Sequence, residues 1–320
     1  MSDSADKRYN ASQRKVYSRR SKTLLYFSGH WQFYLMLVPP IIYYAVFHYK
    51  PMTGLVIAFK DYNMFKGTWA SPWSGLTTFR YIFKNPDFYR AIKNTLVLNV
   101  LNLILGFPMP ILLALFLNEL KTGVIKKITQ TILYLPHFIS WVIIGGMAYQ
   151  IFSMTTGIVN NALNAVFGIT VPFLTNPGWW VFTYFIISVW HSIGWSAIIY
   201  MSAITSIDQE IYEAAKVDGS TRFHTMFFIT LPNIKNTIVI MLILQVGTMA
   251  TIGFEQPLSL QNSAVMSTAD VISTFVYRVG TQNAKYSVAT GVGMFQSIIN
   301  FILVVGTNTI SNRLTGQGIW

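Results

Sequence analysis

Five histidines and two Lys-Thr pairs are the residues of this sequence that could most directly bind a metal ion or a phosphate group. The histidines are His30, His48, His137, His191 and His224. They are scattered, whereas metal-binding histidines recur a few residues apart. Lys22-Thr23 and Lys121-Thr122 lack the preceding glycines whose backbone amides would cradle a phosphate. Because no paired nucleophile and base is present in the sequence either, we expect no metal site, no bound cofactor, no ATPase site and no catalytic residue in this chain.

The segment from Ser206 to Pro232 has the pattern of two short helices that meet at a bend. Ser206 and Gln209 occupy the two positions of a capping box, and acidic residues fill the first turn that follows. Gly219 suits the left-handed position that closes a helix, and Ser220 suits the start of the next helix. Pro232 is expected to end that second helix.

The second of these helices carries Phe223, Met226 and Phe227 on one side. Exposed aromatic residues of this kind indicate a protein partner. An amphipathic connector lying on a membrane surface explains them equally well, so physical reasoning alone leaves both readings open.

The elements that must position this segment are membrane helices. Of the 320 residues, 52% are hydrophobic and only 11% are charged, and the mean hydropathy is +0.44. Soluble domains carry about a quarter charged residues, so the deficit indicates long apolar runs. We predict an all-α integral membrane protein with six spanning helices. They lie at Phe33–Tyr49, Thr95–Leu117, Ile128–Phe152, Trp179–Ile204, Thr237–Phe254 and Ala289–Ile310. Pro136 lies either inside the third span or at its entry.

The basic residues orient these spans. Fourteen of the 23 Lys and Arg residues fall in the amino-terminal tail, the segment around 121–127, the segment 205–236 and the carboxyl end. The positive-inside bias therefore predicts that both termini lie in the cytoplasm. The net charge of +12 needs no nucleic-acid partner, because no folded basic module accompanies it. The first thirty residues lack the apolar centre of a cleavable signal peptide.

These features divide the chain into four regions. Residues 1–30 form a basic cytoplasmic tail, and residues 31–92 hold the first span and an external amphipathic helix near Leu76–Ile92. Residues 93–310 form the transmembrane core, which includes the cytoplasmic segment 206–232. Residues 311–320 form a cytoplasmic carboxyl-terminal tail.

The cytoplasmic segment resembles the EAA loop of permeases from binding-protein-dependent ABC importers. That loop reads Glu-Ala-Ala, three residues, Gly, nine residues, Ile, one residue, Leu-Pro. Here the matching residues are Glu213, Ala214, Ala215, Gly219, Ile229, Leu231 and Pro232, with every spacing kept. The resemblance implies the type I importer permease fold, in which this helix pair docks on a nucleotide-binding subunit. It assigns ATPase coupling to Glu213, Ala214, Ala215, Gly219, Phe223, Phe227, Leu231 and Pro232.

The resemblance also implies partners. Members of the family work with a second permease, usually a different chain, with two ATPase subunits and with an external solute-binding protein. ATP and Mg would be used by the partner ATPase, and transport would proceed by alternating access in the cytoplasmic membrane of a bacterium. The segments Leu76–Thr95, Gly253–Gln256, Asp270–Gly280 and Gly316–Trp320 resemble the complex-carbohydrate branch. That branch includes importers of pectin and alginate fragments, so the implied cargo is an oligosaccharide, acidic in those cases.

Polar and aromatic residues within or beside the spans are candidates for the substrate path. They are Trp190, His191, Trp195, Gln245, Glu255, Gln256, Arg278 and Asn300. Intramembrane polar groups face a bundle interior or a cavity, but hydrogen bonding between helices explains them equally well. Arg278 would suit a uronate carboxylate, or it pairs with Asp270. The alternative function is an ion-driven secondary transporter, although none of the eleven Asp and Glu residues falls firmly within a span.

Overall fold

The protein is described from a computed structural model, which covers residues 29–120, 123–316 and 318–319. Most of the predicted basic tail and the Lys121-Thr122 pair lie outside these residues. Within the described ranges the chain is helical, and its one sheet-like feature is an isolated antiparallel bridge between Lys60 and Trp73. The chain divides after Val56 into two compact units. The prediction of an all-α fold is confirmed.

The first unit contains helix α1, Trp31–Tyr44, which holds Pro39 and Pro40. It continues as a wide π-helical turn over Ala45–Tyr49 and a short helix over Lys50–Met52. A proline cannot donate a backbone hydrogen bond, so the pair weakens the ladder of α1 without stopping it. The helix and the π-helical turn together cover the first predicted span, Phe33–Tyr49. The segment that follows, Thr53–Phe59, is a 3₁₀ helix that crosses the boundary between the units.

Three helices of the second unit are long and apolar enough to cross a membrane. The first runs from Pro86 to Glu119 as α3 (Pro86–Leu101), a π-helical turn (Asn102–Gly106) and α4 (Pro108–Glu119). The others are α8 (Pro177–Thr205) and α13 (Tyr286–Thr315). By length and composition the described residues offer three spans, or five if each of two bent pairs counts as one. The α1 segment is helical but less apolar, because prolines, tyrosines and His48 interrupt it.

The third predicted span, Ile128–Phe152, is not a straight helix. The chain forms α5 (Val124–Tyr134), a 3₁₀ turn (Leu135–Phe138) and α6 (Trp141–Phe152), with a bend of 102° between the two halves. Pro136 lies in the turn and so marks the entry to α6, as the second reading of this proline proposed. Close packing holds the bend against α8, since a Cβ atom at Gly194 would overlap the carbonyl oxygen of Leu133.

Shorter helices complete the end of the bundle away from the coupling segment. They are Gly67–Ala70, α2 (Thr77–Ile82), α7 (Ile158–Phe167), α11 (Glu255–Leu260), a 3₁₀ turn (Ser263–Val265), Met266–Ala269, α12 (Ile272–Tyr277) and a π-helical turn (Arg278–Gln282). The predicted amphipathic helix over Leu76–Ile92 is two helices, α2 and the start of α3. Pro86 begins α3, and Asn85 caps it by accepting a hydrogen bond from the Asp87 amide.

The core of the second unit lies in three groups of buried side chains. One group joins α4 and α8 at the end where α8 meets the coupling segment, and it includes Leu115, Tyr200 and Met226. Another joins α6, α8 and α11 at the other end, around Trp180 and Leu260. The third packs α2, α3 and α12 against the start of α13, around Phe88 and Phe275. Hydrophobic groups therefore fix α8 at both of its ends.

Candidate functional site

The coupling segment, residues 206–232, is a bent pair of helices at the end of α8. Helix α9 covers Gln209–Val217. Gly219 then takes the left-handed conformation with φ +74°, and the Ser220 amide donates to the carbonyl of Ala215. This is the Schellman arrangement, in which a glycine reverses the chain at little steric cost. The prediction of a left-handed glycine here is confirmed.

The helix caps of this segment differ from those predicted. Helix α8 extends to Thr205, so Ser206 closes that helix and its hydroxyl donates to the carbonyl of Ala203. Asp208 caps α9 instead, by accepting a hydrogen bond from the Glu210 amide. Thr221, rather than Ser220, caps the next helix through the His224 amide. In both cases the cap lies further along the chain than predicted. Ser206 belongs to the end of α8, and Ser220 belongs to the turn that closes α9.

The second half of the segment is helical from Arg222 to Asn233, with short helices Arg222–His224 and Leu231–Asn233 flanking a π-helical turn, Thr225–Thr230. Pro232 has no N–H to donate to the carbonyl of Phe228, which favours a wide turn at this point. The helix continues one residue past Pro232 and then bends by 64° into α10, Lys235–Gly247. The prediction that Pro232 ends the helix was therefore short by one residue.

Two contacts hold this half in place, one with the core of the bundle and one with α9. Met226 is buried among the core residues of α4 and α8, and the hydroxyls of Tyr212 and Thr230 lie 3.1 Å apart. The sequence placed Met226 on the same side as Phe223 and Phe227, but the wide turn separates them. Met226 faces the bundle, whereas Phe223 and Phe228 are 67% and 70% exposed.

The outward surface of the coupling segment is apolar with an acidic residue beside it. Ile211, Val217, Phe223, Phe227 and Phe228 are exposed, as are Glu213 and Ala214. Ala215 is buried and Leu231 half-buried. A surface that buries one methionine and displays three phenylalanines is arranged for a protein partner, because solvent exposure of large apolar groups is otherwise costly.

A cavity whose lining mixes apolar side chains with amides and hydroxyls runs between α3–α4, α8 and α10. It has two adjoining parts of about 440 Å³ and 220 Å³, which share Asn102, Gln245 and Thr248. Every residue that lines either part is uncharged. Asn99, Ser188, Ser192, Ser196, Thr251 and Gln256 also line it, and of these the side-chain amides of Asn99 and Gln256 donate to backbone carbonyls of the same chain. We call this cavity the axial cavity.

Helix α8 supplies its side of the axial cavity with a stripe of polar residues. Tyr184, Ser188, Ser192, Ser196 and Tyr200 recur at every fourth position and all line the cavity. Residues four apart lie on one face of an α-helix, so this spacing was a readable signal. The sequence analysis missed these residues, along with Asn99, Asn102 and Thr248, because it searched for charged and bulky polar groups.

Of the eight predicted substrate-path residues, Gln245 and Gln256 line the axial cavity. Trp190 lines an apolar cavity of about 170 Å³ between α6 and α8. His191 packs on Trp141, and Trp195 stacks on His137 with ring centroids 4.6 Å apart, both at the bend between α5 and α6. Asn300 binds the backbone amide of Ala250 and the hydroxyl of Thr251. Glu255 begins α11 and lines neither part of the axial cavity.

Arg278 forms the ion pair that the sequence offered as the alternative to substrate binding. Its two terminal nitrogens lie 2.9 Å and 2.6 Å from the two carboxylate oxygens of Asp270, which is fully buried. Hydrogen bonding to Asp270 raises the pKa of Arg278 above its ordinary value. The guanidinium fork is therefore already occupied by a carboxylate of the same chain.

Residues 106–315 match the family model described as binding-protein-dependent transport system inner membrane component. The chain belongs to this family. The match includes most of the axial cavity and the whole coupling segment, so those two features lie within the part that defines the family. The resemblance drawn from the EAA loop is confirmed.

Individual family members are closely similar. Protein LplB of Bacillus subtilis (strain 168) is 41% identical over 287 residues, which cover 90% of each chain. The polygalacturonan/rhamnogalacturonan transport system permease protein YteP of the same organism is 40% identical over 302 residues, or 94% of each chain. The permease fold also appears in a solved structure of a bacterial ABC transporter that imports the acidic polysaccharide alginate. That structure matches with a TM-score of 0.84 and 42% identity, over 92% of this chain and 99% of the other.

Membership settles the class of the protein. The chain is an ABC transporter permease of the inner membrane with the type I importer fold, and it is not itself the ATPase. This excludes the ion-driven secondary transporter that the sequence left as the alternative. A second solved structure, with a TM-score of 0.83 and 42% identity, holds an alginate transporter together with its periplasmic protein bound to an alginate pentasaccharide.

Proposed function

We propose that this chain is one transmembrane subunit of an ATP-driven importer that moves an acidic oligosaccharide from an external solute-binding protein into the cytoplasm. The observation that carries the proposal is the pairing of two features in one chain, a coupling segment with an exposed apolar surface and an axial cavity lined in part by uncharged amides and hydroxyls. The cargo follows from the relatives, since a polygalacturonan/rhamnogalacturonan permease and an alginate importer are each about 40% identical to this chain over nine-tenths of its length.

The axial cavity suits a sugar chain chemically. Sugars present many hydroxyls that both donate and accept hydrogen bonds, and amides and hydroxyls can satisfy either role. Gln245 lies where the two parts of the cavity meet, so we assign it a central role in the path. Gln256 lines the part nearer α11. Because this chain's lining of the axial cavity is uncharged, we assign any recognition of sugar carboxylates inside that cavity to the second permease.

The coupling segment is proposed to seat in a nucleotide-binding subunit, with ATP and Mg bound there. Phe223 and Phe227 would enter an apolar cleft beside Phe228, while Glu213 makes a charged contact at its edge. Gly219 fixes the angle between the two arms, and Ala214 allows close approach. Leu231 packs against the core group of α4 and α8, and we assign Pro232 and the buried Ala215 the role of fixing the backbone of the segment. Both chain termini are proposed to lie on this cytoplasmic side.

We propose that transport proceeds by alternating access, with motion passed from the coupling segment to the core group of α4 and α8. Closure of two ATPase subunits would push the coupling segments of two permeases together. Because Met226 joins this segment to the core of α4 and α8, the displacement would reach the helices that line the axial cavity. The partner permease, expected to be a different chain, completes the path.

The test is reconstitution with a candidate partner permease, ATPase and solute-binding protein. We expect ATP hydrolysis that rises when the binding protein carries an oligogalacturonide or an oligoalginate. Hydrolysis that ignores both sugars but responds to another loaded substrate would overturn the cargo. Uptake by this chain alone, driven by an ion gradient without ATP, would overturn the mechanism.

A further inference from the structure

A second concave site lies apart from the axial cavity, between the loop that precedes α2, helix α2 and the beginning of α13. Its volume is about 540 Å³, within the usual range for small-molecule pockets. Helices α10 and α13 run antiparallel, since Gly247 packs near Val304 whereas Ala250 binds Gln296 and Asn300. The start of α13 therefore lies at the end of the bundle opposite the coupling segment. We call this site the external cavity.

The lining of the external cavity includes three tyrosines, Tyr62, Tyr81 and Tyr286, beside Lys285. Tyr62 and Tyr286 meet edge to face with ring centroids 5.7 Å apart. The amine of Lys285 lies 3.2 Å from the hydroxyl of Tyr81 and 5.1 Å from the centre of its ring. Aromatic faces pack against the C–H faces of sugar rings, and their hydroxyls are hydrogen-bonding groups. An amine among them adds a partner for a carboxylate.

The beginning of α13 adds to the positive potential. The amides of Val288 and Ala289 donate to the Lys285 carbonyl, whereas the first two amides of α13, those of Tyr286 and Ser287, have no acceptor within the helix and no side-chain cap. The amides of Tyr286 and Ser287 are therefore the part of the helix start that is available to a ligand carboxylate.

The backbone holds Lys285 in place at a conformational cost. Ala284 has φ +54°, a left-handed conformation that residues other than glycine seldom adopt, and the Lys285 amide donates to the carbonyl of Val279 at 3.0 Å. Such strain persists where surrounding contacts fix it, and it concentrates at binding sites.

The other charged groups of the cavity have distinct roles. The amine of Lys60 donates to the carbonyls of Thr68 and Trp69, so it braces the loop. The exposed carboxylate of Asp61 lines the cavity and can accept hydrogen bonds from sugar hydroxyls. Lys285 is therefore the cation of this cavity that faces a ligand with its amine.

We propose that the external cavity is a second carbohydrate site, which binds one sugar unit bearing a carboxylate. The carboxylate would meet the Lys285 amine and the amino-terminal end of α13, while the ring rests against a tyrosine. The inference rests on the acidic oligosaccharide cargo proposed above, but it concerns a site that shares no lining residue with the axial cavity.

The test is a saturation-transfer NMR titration of tri-galacturonate on the whole transporter in nanodiscs, without binding protein. Gln245→Leu is present throughout, to weaken binding in the axial cavity. Lys285→Gln is expected to weaken binding about fivefold, the upper range for an exposed charge pair. Tyr81→Leu is expected to reduce the transfer to sugar C–H protons. Lys66→Gln and Tyr89→Leu, on the same side of the protein but outside the cavity, are matched controls and are expected to change nothing.

Equal affinity in the cavity variants and the controls would overturn the inference. So would a Lys285→Gln variant that binds tri-galacturonate normally but loses affinity for the binding protein, since the cavity would then be a protein contact. ATP hydrolysis is measured in parallel on the wild-type complex with loaded binding protein. Because the titration requires no hydrolysis, a failure of the proposed function and a failure of this inference give different results.

Discussion

Arg278 binds both carboxylate oxygens of Asp270, so the guanidinium and the buried carboxylate form a two-bond pair eight residues apart in the chain. Thr274 donates a further hydrogen bond to the same carboxylate, and Arg90 lies 3.7 Å from it. Asn94 of α3 binds the carbonyls of Ser267 and Asp270. The cluster therefore joins α3 to the loop before α12 and fixes the end of the bundle away from the coupling segment.

Removing Arg278 is expected to destabilise the protein. Arg278→Met leaves the Asp270 charge buried with only the more distant Arg90 nearby, and breaking a buried pair costs about 3–5 kcal/mol. Thermal unfolding in detergent should show a clear drop, while the double variant Arg278→Met/Asp270→Asn should recover part of it. Normal stability with lost substrate stimulation in Arg278→Met would instead make Arg278 a substrate ligand.

Gly219→Ala is expected to reduce coupling and leave the fold intact. Nothing lies within 4 Å of a Cβ at this position, so the cost is the left-handed backbone alone, about 1–2 kcal/mol. We expect normal expression and a several-fold loss of substrate-stimulated ATP hydrolysis. Gly293→Ala is the matched control, because a Cβ there is also unobstructed and the backbone is ordinary. Equal activity of the two variants would separate Gly219 from coupling.

Phe228→Ala and Met226→Ala are expected to fail in different ways. Phe228 is 70% exposed, so its truncation should weaken association with the ATPase, measured by co-purification, without lowering the unfolding temperature. Met226 is 3% exposed, so its truncation leaves a cavity that costs about 2–5 kcal/mol. A fall in unfolding temperature for Phe228→Ala would show that this side chain supports the fold instead.

Gln245→Leu is expected to raise the oligosaccharide concentration needed for half-maximal uptake. An amide replaced by an apolar group leaves sugar hydroxyls unpaired in the axial cavity, at about 1–3 kcal/mol for each desolvated group. Trp190→Leu is the contrasting variant, since Trp190 lines a separate apolar cavity. Uptake in a vesicle assay should distinguish the two. A larger rise in the half-maximal concentration for Trp190→Leu than for Gln245→Leu would indicate that the substrate path lies on the face of α8 that carries Trp190.

The sequence predicted features that depend on local composition or fixed spacing. Apolar runs located α8 and α13, and the EAA spacing located the coupling segment with its left-handed Gly219. Features that depend on how helices pack could not be predicted from the sequence. The 102° bend near Ile139 leaves hydropathy unchanged, and Gly194, which accommodates it, resembles any helical glycine until Leu133 is beside it.

The roles of individual polar side chains also depended on packing. Arg278 and Asn300 are polar residues near membrane helices, yet each binds a partner within the chain. Asn102 and Ser192 look unremarkable in sequence, yet they line the axial cavity. Composition identifies which residues can bind a sugar, whereas only packing determines which of them remain available to one.

The uncharged lining of the axial cavity has a consequence for how a long substrate would move. A fixed charge would trap a uronate chain in a deep energy well, and each sugar unit would have to climb out of it. A row of amides and hydroxyls on α8, α10 and α3 offers many shallow wells of similar depth. A sugar chain could then exchange one hydrogen-bond partner for the next along this subunit's side of the cavity, so this subunit would favour no single position of the substrate.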